Sequence, residues 1–293
     1  MRVLVTGAAG RLGSELVKYF GSEHSIIGTF RTTQRDLPIS CGTAVKVDLV
    51  DESAVLDMIA ETRPDLVVHC AAASSVDRCQ LDSEFARLNN VVTTQNLCQA
   101  VSHVGRGRFF YISTDYVFDG ATKAPEETEP LQPMNTYGES KRDAELATRK
   151  AGIEFAILRV CALYTAGAHP KGDPITAIAE TIKRREVYKA ATDLFSNPTE
   201  VSDVARAIAA LAKLPELPES LHIAAPEYMT RHEFAIKVAE RLNLDRNLIE
   251  AVTCADLNLP APRPLKAGLG SARFEALMGY SLKSFDSVPG ISR

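Results

Sequence analysis

Several features that mark other classes of protein are missing from this chain of 293 residues. It contains no tryptophan, so no indole ring is available to pack against a flat ligand. No stretch approaches about 18 apolar residues, and the N-terminus begins as a strand, so we expect neither a membrane-spanning helix nor a secretory signal. Positive charge is not in excess. The 33 basic and 37 acidic residues give a net charge of −4, with no basic face for nucleic acid or an anionic membrane.

Cysteine and histidine are present, but without the spacing that a metal site or a disulfide framework requires. The six cysteines include no Cys-x-x-Cys pair and fall mostly inside apolar runs, and the six histidines show no metal-ligand spacing. We therefore expect no bound metal, reduced buried thiols and a cytoplasmic location. The cysteines are Cys41, Cys70, Cys79, Cys98, Cys161 and Cys254.

The first twenty residues carry a glycine-rich loop in a recognisable context. Val3 to Val5 predicts a short buried strand, and Arg11 to Phe20 has helical apolar spacing. Gly7 and Gly10 lie between these two segments, and Gly13 lies in the helix. Gly7 permits a tight turn, Gly10 lets the backbone approach a pyrophosphate, and Gly13 lets the helix pack close to the strand. The pyrophosphate would then lie at the helix N-terminus, where free N–H groups favour negative charge. The loop is predicted to bind a dinucleotide; the alternative is a glycine-rich turn without a ligand.

Strands and helices alternate as far as Val160. This alternation predicts an α/β protein with right-handed crossovers and a Rossmann-type doubly wound parallel sheet. After Val160 the alternation weakens, although helices are still predicted at 175–186, 202–213 and 230–242, the last with Thr230 as N-cap. The predicted strands are 3–5, 25–30, 44–47, 66–70, 108–112 and 154–160, and the earlier helices are 11–20, 51–62, 83–104 and 137–150.

The end of the second predicted strand favours one dinucleotide over the other. NAD sites usually place Asp or Glu there to bind the ribose 2′-hydroxyl. This chain instead reads Thr29-Phe30-Arg31-Thr32-Thr33, with no carboxylate before Asp36. The Arg31 guanidinium suits a 2′-phosphate, and Arg11 could add a second contact, unless both are ordinary surface residues. With Asp48-Leu49 placed to contact adenine, the pattern favours NADP(H).

The change in pattern after Val160 also predicts how the chain is divided. We expect residues 1–163 to form an NADP-binding Rossmann domain. Residues 187–213 have a strand-like start and an amphipathic helix, so they are expected to return to it. The remaining segments, 164–186 and 214–293, would form a smaller C-terminal substrate-binding lobe over the C-terminal edge of the sheet, where doubly wound folds place their ligands.

Tyr137 and Lys141 form the pattern Tyr-x-x-x-Lys on a predicted helix. Residues at i and i+4 lie on one helix face, roughly 5–6 Å apart at Cβ. An ammonium that close is expected to lower the tyrosine pKa from its usual value of about 10. The tyrosine could then hand a proton to a carbonyl oxygen as hydride arrives at its carbon. The pattern is common by itself and gains weight from the dinucleotide loop in the same chain.

These motifs together resemble the extended short-chain dehydrogenase/reductases. The resemblance rests on the glycine spacing, Asp48-Leu49, the run Cys70-Ala71-Ala72-Ala73, Asn90 and the Tyr-x-x-x-Lys pair. The segment from Ser113 to Gly120, which reads STDYVFDG, is similar to the dTDP-4-dehydrorhamnose reductase branch. That branch also contains the regulatory β subunit of methionine adenosyltransferase. The resemblance runs over nearly the whole chain.

The resemblance implies roles for particular residues. Tyr137 would be the general acid, Lys141 its partner and a ligand of the nicotinamide ribose, and Thr114 a hydrogen-bond partner of the substrate carbonyl. The residues expected at the cofactor are Gly7, Gly10, Arg11, Leu12, Gly13, Arg31, Asp48, Leu49, Cys70, Ala71, Ala72 and Asn90, with Tyr137 and Lys141. Those expected at the substrate are Ser74, Asp115, Tyr116, Ala162 and Arg263. Simpler roles stay open: a strand-end cap for Thr114, a turn for Asp115, core for Tyr116, and the surface for Arg263.

One departure bears on the substrate. Rhamnose-forming reductases carry a tryptophan just after strand six that packs on the sugar, where this chain has Ala162. The pocket is therefore expected to be wider there, or filled by another side chain such as Phe195. The loop from Ser74 to Asp77 has a length closer to that of the regulatory β subunits.

Two functional classes follow, with a third on the same scaffold. The first is an NADPH-dependent reductase of a keto group on a nucleotide-linked sugar. The second is a non-catalytic NADP-binding subunit that regulates a partner enzyme, and the third is a nucleotide-sugar epimerase or dehydratase. The expected ligand is a small molecule, and both a homodimer and a complex with a regulated enzyme stay open.

Overall fold

Seven parallel strands form the centre of the molecule. The computed structural model describes residues 1–32, 37–38, 40–167 and 172–291. Its strands in chain order are β1 Arg2–Thr6, β2 Ser25–Phe30, β3 Thr43–Lys46, β4 Leu66–His69, β5 Arg108–Thr114, β6 Phe155–Val160, β7 Leu163–Tyr164, β8 Tyr188–Ala191, β9 Phe195–Ser196, β10 Thr199–Glu200, β11 Ser220–Ile223, β12 Met229–Thr230 and β13 Ile249–Val252. The sheet has the order β11-β6-β5-β4-β1-β2-β3, which confirms the predicted doubly wound fold.

Helices cover both faces of this sheet. They are α1 Arg11–Gly21, α2 Glu52–Thr62, α3 Val76–Leu81, α4 Ser83–Ala86, α5 Thr93–Val104, α6 Thr136–Arg149, α7 Pro174–Lys183, α8 Val201–Leu211, α9 Arg231–Arg241 and α10 Ala272–Met278. Short 3-10 turns span Asp115–Val117, Arg246–Leu248, Ala255–Leu257 and Phe285–Ser287. The helix predicted over 83–104 is divided into α4, a π-helical turn Arg87–Val92, and α5.

Two apolar layers bury the sheet. On one face, Leu16 and Phe20 of α1 pack with Val204 and Ile208 of α8 and with the strands. On the other, α2, α5 and α6 cover the sheet. Helix α8, which forms the second half of segment 187–213, belongs to the first layer.

The first half of segment 187–213 lies outside the main sheet. Strand β8 pairs in parallel with β13, with Tyr188 opposite Ile249, in a separate two-stranded sheet. Conversely, β11 lies in the segment assigned to the small lobe, yet Leu221 pairs with Leu158 at the edge of the main sheet. Both side chains are fully buried there. The predicted boundaries at 187 and 214 are therefore wrong, because each short strand is fixed by a partner far away in the chain.

The elements β7, α7, β8, β9, β12, α9 and β13 and the loops between them, which we call the small lobe, pack around a separate apolar cluster. Tyr164, Phe234 and Phe285 pack ring to ring with centroid distances of 5.2–5.7 Å, and α7 and α9 supply aliphatic side chains around them. Helix α9 begins as predicted at Thr230, which forms a capping box with Glu233.

Within residues 1–32, 37–38, 40–167 and 172–291, no helix is both long enough and apolar enough to cross a membrane. The same ranges contain no group of three or more His, Cys, Asp or Glu side chains arranged to hold a metal ion. All six cysteines are free thiols; Cys79, Cys98 and Cys161 are buried, and the others are half-buried.

Candidate active site

A cavity of about 750 Å³ opens at the carboxyl ends of the central strands. Its floor is formed by the residues that end or follow β1 to β6, and its opposite wall comes from the small lobe. This volume is in the range of small-molecule sites, and the position is the one at which doubly wound sheets bind ligands. The cavity is therefore the candidate active site.

Most of the predicted site residues line this one cavity. They are Gly7, Gly10, Arg11, Leu12, Gly13, Arg31, Asp48, Leu49, Cys70, Ala71, Ala72, Ser74, Thr114, Asp115, Tyr116, Tyr137, Lys141 and Ala162. Two predicted residues, Asn90 and Arg263, are not part of the lining. Thr33 and Asp36, which entered the cofactor argument, lie outside the described residues.

Gly7 and Gly13 occupy positions in the loop where a side chain would not fit. Gly7 has φ of +64°, and a Cβ there would lie 2.8 Å from the Ala71 backbone nitrogen. A Cβ on Gly13 would collide with the Gly7 carbonyl oxygen, so glycine is needed for α1 to pack this close to β1. The Gly10 N–H donates to the same carbonyl at 2.8 Å and closes the turn.

Both arginines proposed for the cofactor contact a neighbouring side chain. Arg31 Nη1 donates to Asn89 Oδ1 at 3.2 Å, and Arg11 Nη1 lies 3.9 Å from Asp173 Oδ2. Asn89, which the sequence argument missed, lies in the π-helical turn and also lines the cavity.

Tyr137 lies in the cavity beside Thr114 and Tyr116. Its ring makes an edge-to-face contact with Tyr116 at 5.9 Å between centroids. Burial raises the pKa of Tyr137, and hydrogen bonding with Thr114 opposes that rise. The predicted lowering of the pKa by Lys141 is wrong for this structure, and Tyr137 is a protonated phenol at neutral pH.

The direction of the Lys141 amine explains this difference. Lys141 Nζ donates to the Ile112 carbonyl oxygen at 2.7 Å and lies 4.2 Å from the ring centroid of Tyr111. Burial lowers the pKa of Lys141 to about 7, while the negative charge of Glu145 acts to raise it. The i,i+4 spacing determines the face of α6 on which Lys141 lies. The amine at the end of its side chain is held by the Ile112 carbonyl in β5.

The low pKa of Lys141 gives a stability prediction. In the unfolded chain a lysine has a pKa of about 10.4, so between pH 7 and 10 the unfolded state binds more protons than the folded state. Stability attributable to this residue therefore rises with pH through that window and stays at its lower value below pH 7. Lys141→Met should remove this slope in denaturant titrations at pH 6.5, 8 and 9.5. Lys150→Met, an exposed change at the end of the same helix, should keep the wild-type slope; an unchanged slope in Lys141→Met would contradict the assignment.

Asp115 is buried next to the catalytic candidates. It accepts hydrogen bonds from the Thr114 hydroxyl at 3.0 Å and from the Cys161 thiol at 3.1 Å. Burial raises the pKa of the Asp115 carboxyl, and both hydrogen bonds oppose that rise. The carboxylate therefore orients Thr114 at the end of β5.

Two predicted site residues, Asn90 and Arg263, contact segments next to the cavity but do not line it. Asn90 Oδ1 accepts from the Ala73 N–H at 2.7 Å, and its amide donates to Ser140 Oγ at 2.8 Å. Arg263, with its side chain 7% exposed, forms an ion pair with Asp77 at 2.8 Å. Neither side chain lines the cavity, because each is committed to these contacts.

The N-terminus of α6 is clamped by segments from two distant parts of the chain. Asn135 caps the helix by accepting from the Gly138 N–H at 2.9 Å, and its amide donates to the Pro262 carbonyl at 2.9 Å. Gln80 Oε1 accepts from the Thr136 N–H at 3.1 Å. These contacts set the position of Tyr137.

The small-lobe wall contains residues that sequence reasoning did not single out. Tyr188, Leu194, Arg231 and Phe234 line the cavity, and no local motif marks any of them. Phe195, which was predicted as a side chain that could fill the pocket near Ala162, also lines the cavity. Its ring stacks on Tyr228 at 5.3 Å between centroids.

Known proteins are similar over nearly this whole chain. Residues 1–288 match the protein family described as the RmlD substrate binding domain. A probable dTDP-4,6-dihydroxy-2-methyloxan-3-one 4-ketoreductase from Streptomyces antibioticus is 32% identical, over 94% of this chain and 88% of that protein. Methionine adenosyltransferase 2 subunit beta from Pongo abelii is 31% identical, over 94% and 82%. A solved structure of dTDP-4-dehydrorhamnose reductase from Bacillus anthracis in complex with NADP has a TM-score of 0.86 at 26% identity, over 99% and 96%.

Proposed function

Because this chain belongs to the RmlD substrate binding domain family, we propose that it is an NADPH-dependent reductase of a keto group on a nucleotide-linked sugar. One observation carries the proposal: Thr114, Tyr137 and Lys141 line the same cavity as the glycine loop. The Streptomyces ketoreductase and the Bacillus reductase support a nucleotide-sugar substrate. We place the activity in the cytoplasm.

The residues present fit a nicotinamide dinucleotide. The tight turn at Gly7 and the close packing at Gly13 leave backbone N–H groups at the start of α1 for the pyrophosphate. Arg31 and Arg11 would hold the 2′-phosphate of NADP(H), and Asp48 and Leu49 the adenine. When bound, the dinucleotide supplies the hydride.

The protein contributes a proton and a fixed geometry. Because burial keeps Tyr137 protonated at neutral pH, its phenol can donate to the substrate oxygen as negative charge develops there. Thr114, oriented by Asp115, would hold that oxygen, and Lys141 would position the cofactor ribose. Charge stabilisation and alignment are the main contributions of such a site.

A regulatory subunit is the second candidate function. It is favoured by the methionine adenosyltransferase subunit, which is nearly as similar as the ketoreductase. Two measurements distinguish an enzyme from a regulator. The first is NADPH consumption with a panel of 4-keto nucleotide sugars, and the second is affinity capture of partner proteins from the native cytoplasm. Turnover without a stable partner supports the reductase, including a homodimeric one. A stoichiometric enzyme partner without turnover supports the regulator, and sugar interconversion without net NADPH consumption supports an epimerase or dehydratase.

Cofactor preference is tested at Arg31. NADPH should bind more tightly than NADH, and Arg31→Ala should weaken NADPH binding by about 1.5–3 kcal/mol, because a charged hydrogen bond to the 2′-phosphate is lost. NADH binding should change little. The measurement is a fluorescence titration of both cofactors, and equal affinities in the wild-type protein would refute the preference. Arg184→Ala, which removes an exposed arginine paired with Glu186, is the control.

A further inference from the structure

Cys161 is a buried thiol between β6 and β7, directly behind the cavity. It is 1% exposed and does not line the cavity, although its neighbours Val160 and Ala162 do. The thiol lies 3.1 Å from Asp115 Oδ2, and its sulfur accepts from the Asn197 N–H at 3.5 Å. Because an ionised carboxylate only accepts hydrogen bonds, the proton in the first contact belongs to the thiol. Cys161 therefore donates to Asp115 from the side away from the cavity.

The Asp115 carboxylate also accepts a hydrogen bond from Thr114. The Thr114 hydroxyl donates to Asp115 Oδ1 at 3.0 Å and accepts from the Tyr116 N–H at 3.3 Å. A hydroxyl has one proton, so Thr114 cannot donate to Asp115 and to a substrate oxygen at the same time. The reductase proposed above uses that proton at the substrate. Thr114 must therefore turn its hydroxyl away from Asp115 when the substrate is bound.

This turn takes a hydrogen-bond donor from a buried charge. Asp115 is 5% exposed, and a buried carboxylate that loses a donor is destabilised because water cannot replace it. Among the residues that the structure describes, Cys161 is the other side-chain donor to this carboxylate. With the thiol on Oδ2, the hydroxyl of Thr114 can leave Oδ1 at a lower cost in free energy. Cys161 thus acts on Thr114 through Asp115 and does not touch the substrate.

We propose that Cys161 is a positioning residue, whose thiol holds the Asp115 carboxylate while the Thr114 hydroxyl turns to the substrate oxygen. The inference rests on the proposed function for the reaction itself. The alternative is that Cys161 only fills space, because it also packs with Phe118 and Leu269. The two roles can be separated by substitution. Serine keeps a donor but is smaller, whereas valine fills the space without a donor.

The first test is steady-state reduction of dTDP-4-keto-6-deoxyglucose with NADPH. Cys161→Ala and Cys161→Val should lower kcat about 10-fold, which is the low end for a lost hydrogen bond to a charged group, because a thiol is a weak donor. The loss should appear equally in kcat and kcat/KM, since the interaction matters in the reacting complex. Cys161→Ser should keep most of the activity, because its hydroxyl still donates. NADPH affinity should be unchanged in all three variants.

The second test follows the Asp115 carboxyl carbon by carbon-13 NMR during a pH titration, which needs no turnover. The hydrogen bond from Cys161 acts to lower the pKa of Asp115, against the effect of burial. Asp115 should therefore titrate at higher pH in Cys161→Ala and Cys161→Val than in the wild type and Cys161→Ser. The other ionisable groups whose charges act on Asp115 or its partners are unchanged in every variant; they are Tyr116, Tyr137, Arg231 and Arg263.

Cys98→Ala is the control, because Cys98 is also buried and its thiol contacts Thr148 at 3.9 Å, outside the cavity lining. It should lose stability as Cys161→Ala does, but keep wild-type turnover. Wild-type turnover in Cys161→Val would show that only volume matters and would overturn the proposal, as would one Asp115 titration curve shared by all variants. If the wild-type protein reduces no keto sugar, the proposed function fails and the role of Cys161 in turnover fails with it. The NMR titration then still reports whether the thiol holds the carboxylate.

Discussion

Tyr137→Phe is expected to lower turnover about 10²- to 10⁴-fold, because the variant keeps the ring but loses the transferable proton. NADPH affinity should stay near the wild-type value. The ring contact with Tyr116 is preserved in the variant, so a loss of turnover reports the hydroxyl rather than packing. The measurement is steady-state NADPH oxidation with a 4-keto nucleotide sugar that the wild-type protein reduces.

Tyr116→Phe is the matched control for this experiment. It removes a phenol from the other ring of the same edge-to-face pair, whose pKa burial raises to about 12. Its effect on turnover should be much smaller than that of Tyr137→Phe. Wild-type turnover in Tyr137→Phe would show that another group delivers the proton.

Glu145→Gln is expected to lower the free energy of unfolding by about 3–5 kcal/mol, because it leaves a buried charge without its counter-charge. Glu145 and Arg159 form an ion pair at 2.9 Å whose side chains are 0% and 1% exposed. Ser113 also donates to Glu145 at 2.6 Å. The pair joins α6 to β6 directly beneath the site. The measurement is denaturant unfolding at pH 7.

Glu186→Gln provides the comparison. Glu186 pairs with Arg184 at 3.0 Å, but both side chains are more than half exposed. Such a surface pair contributes about 0–1 kcal/mol. A loss of stability in Glu145→Gln no larger than that in Glu186→Gln would mean that the buried network relaxes to accept the change.

The features that the sequence predicted most accurately are those whose pattern lies within a short stretch of the chain. The glycine spacing, the buried strand before it and the apolar spacing of α1 can all be recognised within the first twenty residues. Position in a parallel sheet then brought Thr114 to the same cavity as the loop, because strand ends meet at one edge.

The predictions that differed depended on partners far along the chain. Strand β8 has the composition of a sheet strand, but its partner β13 lies about sixty residues later. Arg263 reads as a substrate arginine until the structure shows Asp77 beside it. Likewise, the helical spacing of Lys141 predicts the helix face on which it lies. It does not predict that the amine donates to the Ile112 carbonyl. Tyr188 and Phe234 carried no signal in the sequence, because the cavity that they line is visible only in three dimensions.

The clamp at the start of α6 has a consequence for the order in which the protein is made. Domains generally begin to fold from the N-terminus while synthesis continues, and the glycine loop with β1 to β6 is complete by residue 160. The contacts of Pro262 with Asn135 and of Arg263 with Asp77 can form only about one hundred residues later. A nascent chain that stops before residue 262 would therefore carry the dinucleotide loop while Tyr137 still lacks these holding contacts.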